Sequence, residues 1–273
     1  MTTREEELGE FLRSRRARLT PAEVGLTPSR NGRRVAGLRR EELASLAGVS
    51  PDYYARLEQG RATNVSAQVL DAVSAALRLD ALERSHLAAL MRPAETTPEV
   101  PRVRPALRAM VAALDPIPAV LHGPRLEVVA INDAAATLID DFAAMPLPQR
   151  NMVRWMFLNP AARTRYPDWA DVAAQMVAIL RVAGGRAAAD PHLSRLVDEL
   201  SSLSREFGKC WATRELFEHT YGPKRFHHEA VGTMTLNYET LHLPADPGMS
   251  LILYTAAAGS PSEAKLQELL ASR

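Results

Sequence analysis

The stretch GLRREELASLAGVSPDYYARLEQGR, residues 37–61, decides the fold of the N-terminal third of the chain. It contains two short segments with apolar residues at helical spacing, and Gly48 interrupts them. Ser50 is placed to cap the second segment, and Pro51 takes the first helical position, where a missing N–H costs nothing. Two helices joined by a short turn that contains glycine form a helix-turn-helix, so this is the local structure we predict.

Apolar residues at helical spacing continue on both sides of this stretch, and they predict five helices within residues 4–91. Ser66 is expected to cap the fourth helix, and Asp80 with Glu83 gives the fifth a capping box. Residues 92–105 hold four prolines and no apolar stripe. We therefore predict an all-α domain over residues 1–91 and a linker over 92–105.

The second helix of a helix-turn-helix presents its N-terminal residues to base edges in the DNA major groove, which is about 12 Å wide. Arg56 is the one long donor in the middle of the outward face, and its guanidinium can bind guanine O6 and N7 or a phosphate. The candidate DNA contacts are Arg39, Arg40, Ser50, Asp52, Tyr53, Arg56, Gln59, Arg61, Thr63 and Asn64. Of these, Arg61, Thr63 and Asn64 are placed for phosphate.

The charge distribution supports this interpretation only weakly. Residues 1–92 carry 15 arginines and no lysine against 12 acidic residues, and the segment 30–40 holds five arginines and no acid. Such a cluster is compatible with an ordinary helical bundle that has solvated charged faces, which is the alternative.

The segment LRREELASLAGVSPDYYARLEQGR resembles the helix-turn-helix of the XRE, lambda-repressor-like family. The resemblance implies a five-helix domain with DNA contacts at Arg40, Ser50, Asp52, Tyr53, Arg56 and Gln59. The family usually has glutamine where this chain has Arg40, which favours phosphate contact over base readout at that position. The resemblance also implies that Glu58 is buried and paired with an arginine of the first helix, either Arg13 or Arg16.

The second half of the chain changes character. PAVLHGPRLEVVAINDAAATLI predicts two strands around a tight turn and then a helix capped by Asn132. Amphipathic helices follow, and residues 230–257 have the alternation of an antiparallel hairpin, with a change of phase that predicts a bulge near Glu239–Thr240. We therefore predict an α+β domain with an antiparallel sheet over residues 106–260, and a C-terminal helix over 261–273.

This half resembles a PAS domain, and the chain from residue 30 to 260 resembles the MmyB-like class of XRE regulators. The phrases that carry the resemblance are RNMVRWMFLNPAARTRYPDW, LVDELSSLSREFGKCW and VGTMTLNYETLHL; one departure is Glu229, where that class usually has proline. The resemblance implies a ligand-binding or dimerisation domain with a small apolar, acyl-chain-like ligand such as a fatty acid. The candidate ligand residues are Asn132, Arg154, Trp155, Phe157, Tyr166, Trp169, Trp211, His228 and Tyr238, with Arg154 or His228 as partner for an anionic head group. The alternative is that these aromatic residues only form the core.

Composition excludes several classes of function. The single cysteine, Cys210, rules out an internal disulfide framework and fits a cytoplasmic protein, and no apolar run reaches the roughly 18 residues that a membrane span needs. No metal, cofactor or catalytic motif is recognisable. We expect a DNA-binding transcriptional regulator that acts as a homodimer, responds to a ligand and binds neither membrane nor cofactor. A protein-interaction or antitoxin-like module is the second hypothesis.

Overall fold

The computed structural model describes residues 4–26, 37–62, 65–91, 102–186 and 190–272. The chain divides into two compact units, Met1–Thr96 with Gly184–Ser194, and Thr97–Ala183 with Arg195–Arg273. None of the helices in the described ranges has the length and apolarity that crossing a membrane requires.

Five α-helices lie among the described residues up to Met91, as the sequence predicts. Their bounds are α1 Arg4–Arg18, α2 Arg40–Leu46, α3 Pro51–Glu58, α4 Ala67–Ala76 and α5 Ala81–Met91, with a 3-10 turn at Ala22–Val24. The caps are also those expected. The Ser66 hydroxyl accepts from the Val69 N–H at 3.3 Å, and the Asp80 carboxylate accepts from the Glu83 N–H at 2.8 Å.

Helices α2 and α3 form the predicted helix-turn-helix. Gly48 has φ +65° in the turn between them, a backbone conformation that L side chains rarely adopt. Leu43 of α2 and Leu57 of α3 are fully buried together with Phe11 of α1, so three helices share one core. Helix α1 passes close to the end of α3, because a Cβ at Gly9 would lie 2.4 Å from the Glu58 carbonyl oxygen.

The second unit combines helices with one antiparallel sheet, as predicted. Its helices are α6 Pro105–Ala113, α7 Asp133–Leu138, α8 Met152–Leu158, α9 Ala161–Arg165, α10 Trp169–Arg186, α11 Pro191–Leu203, α12 Arg205–Ala212 and α13 Pro261–Ala271, except that the end of α10 and the start of α11 fall within Gly184–Ser194 of the first unit. Its strands are β1 Ala119–His122, β2 Val128–Ile131, β3 Tyr221–His228, β4 Gly232–His242 and β5 Ser250–Thr255. The predicted N-cap is confirmed, since the Asn132 side chain accepts from the Ala135 N–H at 3.0 Å.

The strands follow the order β2-β1-β5-β4-β3, and every pairing is antiparallel. Side chains of directly paired residues lie on the same side of a sheet. One side, called the inner face here, therefore carries Val120, His122, Lys224, Phe226, Met234, Leu236, Tyr238, Thr240, Ile252 and Tyr254. The opposite side, the outer face, packs Leu121 and Leu251 against Leu107 and Val111 of α6.

The bulge predicted near Glu239–Thr240 is wrong. Pairing of β4 with β5 continues without a shift from Asn237 to His242. Thr240 occupies an inner-face position with a polar side chain, and Leu241 points to the outer face, where it is 49% exposed. The apolar pattern changes phase there because a polar residue faces inward, while the strand stays regular. The register shift that does occur lies between Leu121 and His122, where β1 pairs with β2.

Candidate functional site

Helix α3 has one buried side and one accessible side. The Ser50 hydroxyl accepts from the Tyr53 N–H at 3.1 Å, so Ser50 is the predicted N-cap. Tyr54, Leu57 and Glu58 are 0% exposed and face the core. Ser50, Asp52, Arg56 and Gln59 are exposed, and Tyr53 is half-buried. The accessible side thus presents the residues that the sequence assigned to DNA.

Two arginines of this region, Arg56 and Arg61, have exposed side chains. Within the described ranges, the guanidinium groups of Arg56 and Arg61 take part in no hydrogen bond or ion pair, and both residues are exposed. Their planar sets of N–H donors are available for a guanine edge or a phosphate. Arg56 lies in the last turn of α3, where the helix dipole also favours cations, and Arg61 follows three residues after the helix ends.

Glu58 joins three elements of the first unit. Its buried carboxylate accepts from Arg16 Nε and Nη2 of α1, each at 3.0 Å, and from Arg40 Nε of α2 at 3.0 Å. Of the two partners expected for Glu58, the structure therefore selects Arg16. Arg40, whose side chain is 46% exposed, shares its guanidinium between this internal pair and the solvent.

The other predicted DNA contacts are Arg39, Thr63 and Asn64. Arg39 precedes α2 and is half-buried, and its backbone N–H donates to Glu42 Oε2 at 2.6 Å. Thr63 and Asn64 lie outside the described residues.

The aromatic candidates of the second unit pack in two rows. In the first row, Trp155 contacts Tyr166 at a centroid distance of 6.1 Å, and Tyr166 contacts Phe226 of the inner face at 5.1 Å. In the second row, Phe157 meets both Trp169 and Phe207, and Phe207 stacks on Trp211 at 5.9 Å. The first row connects the helices to the sheet. The structure thus brings Trp155 and Tyr166 beside the inner face and groups Phe157, Trp169 and Trp211 in a separate row.

Polar atoms of several candidates are already engaged within the protein. The indole N–H of Trp155 donates to Asp140 Oδ2 at 2.6 Å, and that of Trp169 donates to the Met156 carbonyl at 3.0 Å. The Tyr166 hydroxyl is buried and has no hydrogen-bond partner among the described residues.

The remaining polar candidates, Asn132, Arg154 and His228, also form contacts within the protein. Asn132 uses its amide for three hydrogen bonds, to the N–H groups of Ala119 and Ala135 and to the Ile117 carbonyl. Arg154 is paired with Glu199. His228 accepts from the Ala230 N–H at 3.3 Å, and burial, with the charge of Arg165, lowers its pKa.

The structure places a buried cluster around Lys224 and His219 at the inner face, and the sequence did not single it out. Lys224, 7% exposed, lies with its Nζ 3.0 Å from His219 Nε2, and His219 Nδ1 lies 2.7 Å from the Thr240 hydroxyl. The His219 ring stacks on Tyr238 at 3.8 Å, and the Lys224 ammonium sits 4.7 Å from the same ring centroid. Tyr238 is thus the one ligand candidate that belongs to this cluster.

Burial governs the ionisation of this cluster. It lowers the pKa of Lys224 to about 8. Burial, and then the charge of Lys224, lower the pKa of His122 to about 4 and that of His219 to about 2. Two signals in the sequence pointed here: the chain has only three lysines, and Thr240 interrupts the apolar phase of β4.

Within the described ranges, no group of three or more His, Cys, Asp or Glu side chains is placed to hold a metal ion.

Comparison with protein families agrees with this architecture. Residues 7–87 match a helix-turn-helix domain, so the first unit belongs to the class of helix-turn-helix DNA-binding proteins. Residues 103–270 match the MmyB-like transcription regulator ligand binding domain, and the chain belongs to this family. No match to a curated protein is found. The predicted recognition and fold class are confirmed, and the chain combines a DNA-binding domain with a ligand-binding domain of transcription regulators.

Proposed function

We propose that the protein is a cytoplasmic, homodimeric transcriptional regulator in which a small apolar or acyl-type ligand controls binding to an operator. Its N-terminal domain, residues 1–91, would read one half-site, and a dimer is needed because one helix-turn-helix reads only half of a palindromic operator. Residues 92–105 would link it to the ligand-binding domain, 106–260, which the helix at 261–273 follows.

The observation that carries the DNA-binding part is the accessible side of α3. Arg56 and Arg61 hold no partner among the described residues, while Glu58 on the buried side fixes α3 against α1 and α2. A rigid helix with free donors on one side is what major-groove recognition requires. Arg56 is assigned to base readout, and Arg39, Arg40, Arg61, Thr63 and Asn64 to phosphate.

The ligand part is supported by the layer between the helices and the inner face. Tyr166 contacts Phe226, and Phe226 contacts Tyr254, so aromatic side chains run from the helices onto the sheet. Ligand sites are typically lined by apolar and aromatic side chains with few polar groups. We assign the apolar part of the ligand to this layer.

A gel-shift experiment with the DNA upstream of the protein's own gene tests the DNA-binding part. The full-length protein is titrated onto this fragment and onto a scrambled fragment of equal length, at two salt concentrations. We expect a specific shift that weakens steeply with salt, because phosphate contacts release counterions. A shift that is equal on both fragments, or absent at both salt concentrations, would contradict operator binding and favour the protein-interaction module.

Adding dodecanoate to the same titration tests ligand control. We expect the midpoint of the specific shift to move, and sedimentation of the protein to report a dimer with and without DNA. An unchanged midpoint at saturating dodecanoate would contradict control by an acyl ligand without affecting the DNA-binding result.

A further inference from the structure

Helix α6 is apolar on the side that faces away from the sheet as well as on the side that faces it. Its buried side packs Leu107 and Val111 against the outer face. A helix at the surface of a monomer normally turns polar residues to water. The helix holds a single charged residue, Arg108, and its accessible side carries these exposed residues: Ala106, Ala109, Met110 and Ala113.

Large apolar side chains extend this surface beyond the helix. Met110 of α6 and Ile117, which follows α6, are each 41% exposed. Leu241 of β4 is 49% exposed and pairs with Leu251, whose side chain lies in the apolar cluster under α6. Large apolar patches are rare on soluble monomers and mark interaction sites. The name α6 patch is used for Ala106, Ala109, Met110, Ala113, Ile117 and Leu241.

Two opposite charges, Arg108 and Asp115, border the α6 patch. Both residues are exposed and lie seven positions apart, which brings them close to the same flank of the helix. The Asp115 carboxylate accepts from the Ala134 N–H at 2.9 Å, so it is held just beyond the end of α6. A twofold axis that turns a copy of α6 end for end brings each arginine to the partner's aspartate. The flank is therefore complementary to itself, as an interface between identical chains requires.

We propose that a second copy of this chain covers the α6 patch, with the two α6 helices antiparallel across a twofold axis. When Arg108 lies opposite the partner's Asp115, the same register places Met110 against the partner's Ala113 and Ile117 against the partner's Ala106. Each large side chain then meets a small one, which lets the two helices approach closely. This inference rests on the proposed function, which requires a homodimer, and it assigns the surface that forms this homodimer.

Sedimentation equilibrium of the full-length protein without DNA tests the surface. Ala109→Arg places two charges, one from each copy, in the middle of the proposed interface. We expect the dissociation constant of the dimer to rise at least about thirtyfold, the effect of disrupting a central interface residue. Ala174→Arg, at an exposed position of α10, is the matched control and should leave the dimer unchanged. Circular dichroism of both variants should show the original thermal midpoint, because both alanines are exposed.

Charge reversal tests the pairing at the flank. Arg108→Glu sets a carboxylate against the partner's Asp115 at both ends of the interface, so the dissociation constant should rise, and more at low salt than at high salt. Arg205→Glu makes the same change at an exposed position of α12 and should have no effect. Equal dissociation constants for these two variants would overturn the charge pairing.

Disulfide cross-linking tests the orientation of the two helices. In a Cys210→Ser background, a mixture of the Ala106→Cys and Ile117→Cys proteins should form a cross-linked dimer under mild oxidation. Ala106→Cys alone should not, because its two copies would lie about 16 Å apart along the helix axes at 1.5 Å per residue. A cross-link in Ala106→Cys alone, with none between the two variants, would overturn the antiparallel arrangement.

The outcomes separate this inference from the proposed function. A dimer that persists in Ala109→Arg overturns the α6 patch as the interface and leaves the homodimer standing. An original protein that is monomeric at every concentration overturns the interface together with the homodimer. The gel shift on operator DNA then still decides the DNA-binding part.

Discussion

Arg16 of α1 clamps Glu58 of α3 with two hydrogen bonds of 3.0 Å, one to each carboxylate oxygen. Arg40 of α2 adds a third, also of 3.0 Å. Since Glu58 is 0% exposed, the helix proposed to read DNA is held by a buried ion pair as well as by apolar packing. Burial alone would lower the pKa of Arg16, but the interactions with Glu58, together with those of Tyr54, outweigh burial and the pKa is raised.

Glu58→Gln is expected to destabilise the N-terminal domain. Breaking a buried pair by removing one partner costs about 3–5 kcal/mol, and we expect the lower end of this range because both arginines reach solvent. Urea unfolding followed by circular dichroism measures the effect. Glu41→Gln is the control, since Glu41 is an exposed carboxylate of α2. Equal unfolding midpoints for the two variants would show that the pair does not stabilise the domain.

Arg56→Ala and Arg61→Ala are expected to weaken DNA binding in different ways. Loss of a base-reading arginine costs about 1–3 kcal/mol and relaxes discrimination between sequences, whereas loss of a phosphate contact weakens all sequences and reduces the salt slope by about 1. Competition gel shifts with operator and scrambled DNA at several salt concentrations separate the two effects. Arg84→Ala removes an exposed arginine of α5 as the charge control. If Arg56→Ala retained the specificity of the original protein, the assignment of α3 to base readout would be wrong.

The N-terminal fold could be predicted well because its signals are local. Ser50, Ser66 and the Asp80–Glu83 pair each satisfy helix N–H groups within three residues of themselves, so the caps are legible in the sequence. The resemblance to the XRE family limits the expected partner of Glu58 to Arg13 or Arg16. The choice of Arg16 depended on how α1 packs against α3, which spacing alone does not determine.

The inner face could not be predicted in the same way because its contacts are non-local. His122 and Lys224 are about a hundred positions apart in the chain and share one face only because β1 and β3 belong to one sheet. Thr240 interrupts the apolar alternation of β4, and its hydroxyl contacts the buried His219. In the sequence of a single strand, such a polar residue gives the same pattern as a bulge. Arg154, predicted as a partner for an anionic ligand, forms an ion pair with Glu199 that the sequence did not indicate.

Stability is expected to fall as the pH drops from 6.5 to 5. His122 and His219 have pKa values of about 4 and about 2 in the folded protein, below the ordinary value of 6.5, so both are neutral there while the unfolded chain takes up their protons. Each contributes a slope of up to about 1.4 kcal/mol per pH unit in this window. His228, whose pKa is lowered as well, adds in the same direction.

The variant His122→Leu measures how much the buried His122 contributes to this dependence of stability on pH. Urea unfolding at pH 7, 6 and 5 should show a smaller loss of stability in the variant, because one proton fewer is taken up on unfolding. His242→Leu, at an exposed position of β4, is the control and should keep the original slope. The same slope in His122→Leu as in the unmodified protein would mean that His122 is protonated normally in the fold.

Asn132→Ala is expected to destabilise the second domain even without any ligand. The Asn132 amide accepts from the Ala119 N–H at 2.9 Å and the Ala135 N–H at 3.0 Å, and it donates to the Ile117 carbonyl at 2.7 Å, so it ties the start of β1 to the start of α7. Loss of an N-cap costs about 0.5–2 kcal/mol, and each buried backbone group left unpaired costs about 1–3 kcal/mol. Thermal unfolding should therefore show a drop of several degrees, whereas Asn237→Ala, at an exposed position of β4, should show almost none. A variant that unfolds like the original protein but loses affinity for dodecanoate would instead place Asn132 in contact with the ligand.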